Sequence, residues 1–184
     1  AGFYIGGEDW RNGVSWIFAN GGELAKKDGD KWVSTLSDPK TITGLGQFQD
    51  IFENASTAPA TENDSTPWVN INNDKSGAAP TAATIIAPGW AHWLIGDFVE
   101  EKTKDDGTKV EVREWNDAKF GVFPLPGVNA GEAAPGFAGG SNIGISAKST
   151  KQAGAKELMR IIFSDEYQQM LGKNGLGPAN TKFV

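Results

Sequence analysis

The first apolar run, Phe3-Tyr4-Ile5, is too short for a helix and stops at Gly6-Gly7, so it predicts a strand. Trp10, Val14, Ile17 and Phe18 follow at helical spacing, with Glu8 and Asp9 ahead of them. Acidic residues suit a helix start, where the backbone dipole is positive. Asn20-Gly21-Gly22 ends that helix. Lys26-Lys27-Asp28-Gly29-Asp30-Lys31 signals a hairpin between Glu23-Leu24-Ala25 and Trp32-Val33. Ser37 or Asp38 caps a second helix with Pro39 in its first turn, and Leu45, Phe48, Ile51 and Phe52 form its stripe. Residues 54–67 read as a loop, and 70–80 are polar without a period.

Ala82–Ala87 reads as a buried strand broken by Pro88-Gly89, and Trp90 to Ile95 as a short amphipathic helix. Residues 100–114 alternate charges around Asp105-Asp106-Gly107, the pattern of an exposed hairpin. Ser149 or Thr150 caps a helix that buries Ala155, Leu158, Met159 and Ile162. Ser164-Asp165-Glu166 opens another through Tyr167, Met170 and Leu171, which Gly172, Gly175, Gly177 and Pro178 end. Strands alternating with helices predict an α/β fold.

The stretch from 119 to 149 is the most informative. Phe120–Phe123 and Asn142–Ala147 read as strands flanking a Pro/Gly/Ala-rich connection. Pro124 and Pro126 stiffen the exit from the first, and Gly139-Gly140 bring bare backbone to the start of the second. A stiff crossing that presents Gly-Gly-Ser-Asn suggests a chain passing between lobes and capturing a ligand.

Composition narrows the function. The net charge is −6 with no Lys or Arg run to offset it, which argues against nucleic acid or an anionic membrane surface as main partner. With no cysteine there is no thiol nucleophile, disulfide or Cys-ligated zinc. At 184 residues, 39% hydrophobic and 22% charged, the chain is ordinary for soluble globular proteins. It opens inside a strand, so Ala1 is not taken as a natural start, and the want of a signal peptide says nothing. Seven tryptophans exceed what a core of this size needs.

Catalytic patterns are sparse. His92 is the only histidine and lies between Trp90 and Trp93 on a predicted helix. Glu8 and Asp9 are adjacent, and adjacent side chains on a helix do not face each other. An acid–base pair would need a second carboxylate at roughly 5–10 Å across a cleft, for which Asp97 is the candidate near Trp90. No nucleophile elbow, phosphate loop or cofactor motif is found. Asn70-x-Asn72-x-Asp74-x-Ser76-Gly77 faintly resembles a calcium loop, but Lys75 occupies the position of the sharp-turn glycine, and no metal site is expected.

A sugar site needs flat aromatic platforms and short polar groups at their rim. Trp90 follows a strand and a Pro-Gly break. Trp10 follows a strand and Gly6-Gly7. Strand ends are where α/β folds bind ligands. Gly139, Gly140, Ser141 and Asn142 add backbone N–H groups, a hydroxyl and an amide. Each tryptophan is equally readable as core, and Gly139-Gly140 as a turn.

The order of these signals resembles the extracellular solute-binding proteins of ABC importers, in the carbohydrate-binding, maltose-binding-protein-like family. Six segments carry the resemblance: Trp16 to Leu24; Asp28-Gly29-Asp30; the helix from Asp38-Pro39; Thr84 to Trp90; Phe120 to Gly127; and Gly139 to Ser146 running into Ala155-Lys156-Glu157-Leu158. It spans all but 54–80 and 100–114. It implies a type II periplasmic-binding-protein-like fold of two lobes closing on a sugar, with 1–119 and 164–184 in the C-terminal lobe and 120–163 forming the crossing and part of the N-terminal lobe. It implies ligand contacts from Glu8, Trp10, Trp90, Gly139, Gly140, Ser141 and Asn142, with Phe123–Pro126 as a hinge. It also implies permease subunits as partners, a place outside the cytoplasmic membrane (periplasmic or lipid-anchored), and no enzymatic activity. This stretch then corresponds to a middle-to-late piece of a longer protein, with strand edges open to self-association. The rival readings are a glycan-active enzyme or accessory domain using Glu8 or Asp9, and a binding protein for a peptide or polyamine.

Overall fold

The computed structural model describes residues 2–63, 65–73 and 76–183. Asp74 and Lys75, and with them the centre of the calcium-loop pattern, lie outside the described residues. The chain forms two compact units, 1–138 and 139–184. Helices and strands mix along it, as an α/β reading expects.

In the first unit, β1 (Phe3–Tyr4) pairs in parallel with β4 (Thr84–Ile85), in register Phe3 to Thr84 and Tyr4 to Ile85. Ser56 extends the pairing on the other side of Phe3. Ile5, next along, is 1% exposed. The Ser56 hydroxyl donates to the Ile5 carbonyl at 2.7 Å and accepts its N–H at 3.1 Å.

Helix α1 (Trp10–Ala19) begins at Asp9, whose carboxylate accepts the Asn12 N–H at 3.2 Å and the Asn12 amide at 2.7 Å. It ends at Gly21, whose φ of 68° is a left-handed conformation that glycine adopts without strain. Val14, Trp16 and Ile17 are buried, each contributing roughly 1.5–3 kcal/mol by leaving water. They face α2 (Pro39–Ala55), and Trp16 meets Phe48 edge to face at 5.5 Å. Gly44 allows that approach, because a Cβ there would stand 2.5 Å from the Trp16 carbonyl oxygen. The predicted stripe of α2 is partly covered: Phe48, Ile51 and Phe52 are half-buried and Leu45 is exposed.

Between these helices, β2 (Ala25–Asp28) and β3 (Lys31–Ser34) form the expected hairpin. Thr35 and Thr41, both buried, donate their hydroxyls to the Glu23 carbonyl and fasten the hairpin to α2. The second hairpin, β5 (Asp97–Thr103) with β6 (Lys109–Glu114), matches the charge-alternating stretch. Its base is tied down by Arg113, which donates to the carbonyls of Asn73 at 3.0 Å and Gly96 at 2.9 Å.

Three expectations are corrected. Among the described residues, neither Phe120–Phe123 nor Asn142–Ala147 forms a strand. Extended backbone becomes a strand only where a neighbour completes the ladder, and neither run has one here. Val122 and Phe123 are accordingly 87% and 63% exposed. The strand expected over Ala82–Ala87 shortens to Thr84–Ile85, half-buried rather than buried. Pro67 and Asn70, read as the end of a loop and the start of a polar stretch, bound a 3₁₀ turn, Pro67–Asn70, with Pro67 and Trp68 buried.

The second unit holds α3 (Gln152–Ile162) and α4 (Asp165–Lys173). The cap of α3 falls at Lys151 rather than Ser149 or Thr150, while the Ser149 hydroxyl accepts the Lys151 N–H at 3.1 Å. Ser164 caps α4 as expected, accepting from Tyr167 at 3.3 Å. Gln168 anchors the pair: 2% exposed, it donates to the Ile162 carbonyl at 2.8 Å and accepts from Asn180 at 3.1 Å. The stripe expected on α3 is only half covered, with Ala155, Met159 and Ile162 half-buried and Leu158 exposed.

Candidate functional site

Because β1 and β4 run parallel, their exits lie at the same end of the ladder. Gly6-Gly7 leads from β1 to Trp10, the first residue of α1. Pro88-Gly89 leads from β4 to Trp90, in the 3₁₀ turn Gly89–Leu94. The topology thus sends the two predicted platforms off one carboxyl edge, the position at which α/β sheets expose ligand-facing groups.

Both indoles are presented to solvent and propped from behind. Trp90 is 44% exposed and stands edge-on to the buried Trp68 at 5.2 Å. Trp10 is 55% exposed, meets Phe137 edge-on at 5.8 Å, and carries the Arg11 guanidinium over its ring at 4.9 Å. Edge-to-face packing fixes a ring without covering both of its faces.

The remaining predicted residues fare differently. Glu8 is exposed, and its backbone N–H donates to the Glu62 carbonyl at 2.9 Å. Gly139, Gly140, Ser141 and Asn142 open the second unit, exposed and outside any helix or strand. A Cβ at Gly140 would meet open space, so close packing does not dictate a glycine there. His92 donates its Nδ1–H to the Gly89 carbonyl at 2.7 Å, and its ring lies tilted against Trp93.

Two of the carboxylates weighed for catalysis, Asp9 and Asp97, have structural work. Asp9 is 3% exposed and caps α1. Asp97 accepts from Lys119 at 2.8 Å and from Asn116 at 2.8 Å. Those hydrogen bonds, with the lysine charge, hold its carboxyl below the ordinary aspartate range, whereas a general acid needs its proton held.

Residues 59–62, which the sequence reading passed over as loop, close on the β1 exit. Gly7 donates to the Pro59 carbonyl at 3.4 Å, and Glu62 donates to the same carbonyl at 3.0 Å. A Cβ at Gly6 would stand 2.9 Å from the Glu62 Cβ and collide with the Glu62 carbonyl. A Cβ at Gly7 would stand 2.9 Å from the Ala60 Cα. The Gly6-Gly7 pair is therefore required by the loop seated on it. The Glu62 carboxylate and the Asn70 side chain both act on the Tyr4 hydroxyl. Burial pushes that hydroxyl above its ordinary value, and the Glu62 charge adds to the shift. Thr81 donates to Asn70 at 2.9 Å. Tyr4 was read only as part of a strand, and its hydroxyl between two apolar neighbours was the one available signal.

A cavity of about 1070 Å³ lies elsewhere in the first unit. It runs along residues 77–89, which include β4, and along 120–123, with Phe3, Ile71 and Trp115 also in its wall. Asn12, Gly89 and His92 reach it, whereas Trp10 and Trp90 do not. The side-chain chemistry for a polar ligand is better developed at the strand exits.

No family model matches the chain. It is 34% identical over 176 residues to the diacetylchitobiose binding protein DasA of Streptomyces coelicolor. The match takes in 95% of this chain and 37% of that protein. The resemblance to sugar-binding solute-binding proteins of ABC transporters is thus borne out across nearly the whole chain, which spans little more than a third of this relative's length.

Proposed function

We propose that this chain is part of a sugar-capturing component of an ABC importer. The protein works outside the cytoplasmic membrane and hands its ligand to permease subunits. The observation that carries the proposal is the pair of exposed, propped indoles, Trp10 and Trp90, leaving the same end of one parallel ladder. Kinship to a diacetylchitobiose binding protein supports an oligosaccharide as ligand.

In this reading Trp10 and Trp90 stack on sugar rings, whose C–H faces match an indole. Glu8 hydrogen-bonds hydroxyls at the rim. Gly139, Gly140, Ser141 and Asn142 complete the site from a second lobe, with Phe123–Pro126 as one crossing between lobes and the boundaries near 119 and 163. The lobes close by hinge motion, and no covalent step takes place. Among the described residues no helix is long and apolar enough to cross a membrane.

The test is calorimetry on the intact protein with diacetylchitobiose, cellobiose, maltose and glucose. We expect at least one disaccharide to bind. Trp90→Ala should weaken it by about 1–3 kcal/mol, the scale of burying a large apolar side chain. Silence toward every saccharide overturns the reading, and unchanged affinity in Trp90→Ala removes that ring from the site. Glu8→Gln tests the rival reading, since turnover of a glycoside that this variant abolishes would make the protein an enzyme.

A further inference from the structure

Phe137 stands in the Pro/Gly/Ala-rich connection, to which the sequence reading gave no ligand contact before Gly139, yet its ring packs on one of the two presented indoles. The centroids of Trp10 and Phe137 are 5.8 Å apart and their planes incline at 66°. At Trp90 the corresponding neighbour, Trp68, is buried and serves as a prop alone. Phe137 differs, because it is itself 38% exposed beside a Trp10 that is 55% exposed. The indole keeps that open surface with both the phenyl ring and the Arg11 guanidinium against it. Two rings that meet at such an angle and both reach solvent form an apolar corner.

The chain ahead of Phe137 restrains it. Pro126 bridges to Ala133, the Gly127 N–H donates to the Glu132 carbonyl at 2.8 Å, and the Ala134 N–H donates to the Leu125 carbonyl at 2.7 Å. The Asn129 amide adds a hydrogen bond to the Glu132 carboxylate at 2.9 Å. Residues 125–134 thus close on themselves, and Pro135 then fixes one more backbone angle shortly before Phe137. A large ring with few rotatable bonds, on restrained backbone, is presented at low entropic cost.

A pyranose stacked on Trp10 lies flat and carries its substituents around its rim. A substituent turned toward Phe137 meets hydrocarbon. A hydroxyl there gives up its water without gaining a partner, which is unfavourable. The methyl of an acetamido group gains by the same burial. We propose that Trp10 and Phe137 together form a subsite for an N-acetylated sugar residue, in which Phe137 selects an acetamido methyl over a hydroxyl at the same ring position. The proposal rests on the sugar-binding reading above and adds to it the substituent that one platform prefers.

The experiment is calorimetry on the intact protein and its Phe137→Ala and Phe137→Leu variants. The main probes are diacetylchitobiose and cellobiose, which share ring size and linkage and differ in carrying acetamido groups or hydroxyls. Maltose and glucose are run beside them. Burying a methyl is worth about fourfold in affinity, and sparing a hydroxyl an unpartnered burial about fivefold or more. The wild type should therefore prefer diacetylchitobiose over cellobiose by about 20-fold. Phe137→Ala should lower that ratio by about fivefold or more, and Phe137→Leu, which keeps an apolar wall, should hold it within about twofold. A Phe137→Ala protein that keeps the ratio, whether both affinities fall together or neither changes, overturns the proposal, because the ring then props Trp10 at most. A wild type that binds a saccharide without preferring diacetylchitobiose to cellobiose also overturns it, and leaves the sugar-binding reading standing. A wild type that binds none of the probes overturns both.

Discussion

Two glycines of α2, at positions 44 and 46, should respond to alanine with opposite signs. In a helix interior the exchange is worth about 0.8–1.0 kcal/mol in favour of alanine. At Gly46 nothing stands within 4 Å of the added methyl, so this gain should appear undiminished. At Gly44 the methyl meets the Trp16 carbonyl oxygen at 2.5 Å and the Ile17 Cα at 2.7 Å. An ordinary carbon–oxygen approach is about 3.3 Å or more, so the crossing of α1 and α2 must open by most of an ångström. Both obstacles are helix backbone and cannot rotate aside. Overpacking of this kind costs about 1–3 kcal/mol, and loosening the Trp16–Phe48 pair adds up to about 1. With the propensity gain deducted, Gly44→Ala should destabilise the helix pair by about 2 kcal/mol. The assay is native-state hydrogen exchange of the intact protein, read on peptides covering residues 10–55, which reports local opening without requiring one global transition. We expect exchange about 30-fold faster in Gly44→Ala and about fivefold slower in Gly46→Ala. Exchange in Gly44→Ala equal to or slower than wild type would refute the argument that this glycine sets the helix separation.

Two further outcomes follow from the β1 exit. Gly6→Ala should displace residues 59–62, because the added methyl collides with the Glu62 carbonyl, and should cost about 1–3 kcal/mol together with a measurable loss of sugar affinity. Trypsin-resistant folding with full affinity would count against the clamp. The Tyr4 hydroxyl, raised by burial and by Glu62, favours folding in its protonated state. Its contribution is complete below the unfolded tyrosine value near 10 and is lost as pH climbs through the higher folded value. Tyr4→Phe should therefore flatten the alkaline fall in stability above about pH 10. In absorbance titration it should remove a late-ionising phenol, and an unchanged titration would refute that environment.

Much of the architecture was legible from local pattern. The helical spacing of Trp10, Val14, Ile17 and Phe18, the Asp28-Gly29-Asp30 hairpin and the Ser164 cap are all decided within a few residues, and the structure repeats them. The failures are non-local. Phe120–Phe123 has strand composition, but a ladder needs a partner that composition does not reveal. The stripe of α3 is apolar, but its coverage depends on what packs against it. At the site, strand-break-tryptophan was readable twice, because platform and turn chemistry are adjacent in sequence. The seating of residues 59–62 was not readable: it comes from their approach to Gly6 and Gly7, brought about only by folding. Even the reason for Gly6-Gly7 differed, since the pair admits a loop rather than merely ending a strand.

The pairing of Phe3 with Thr84 has a consequence in time. Closing a loop of that length costs about 4 kcal/mol in chain entropy, before any contact at the strands repays it. The helices α1 and α2 are joined by a short hairpin and form early and locally. The β1 segment, by contrast, waits while the ribosome adds about 80 residues, roughly 4–16 s at ordinary rates of synthesis. Ile5, nearly sealed in the finished fold, remains wet throughout that interval. The edge that carries both tryptophans therefore cannot assemble until residues 84–90 have been made, so a defect in them would leave the helix pair well formed without its recognition surface.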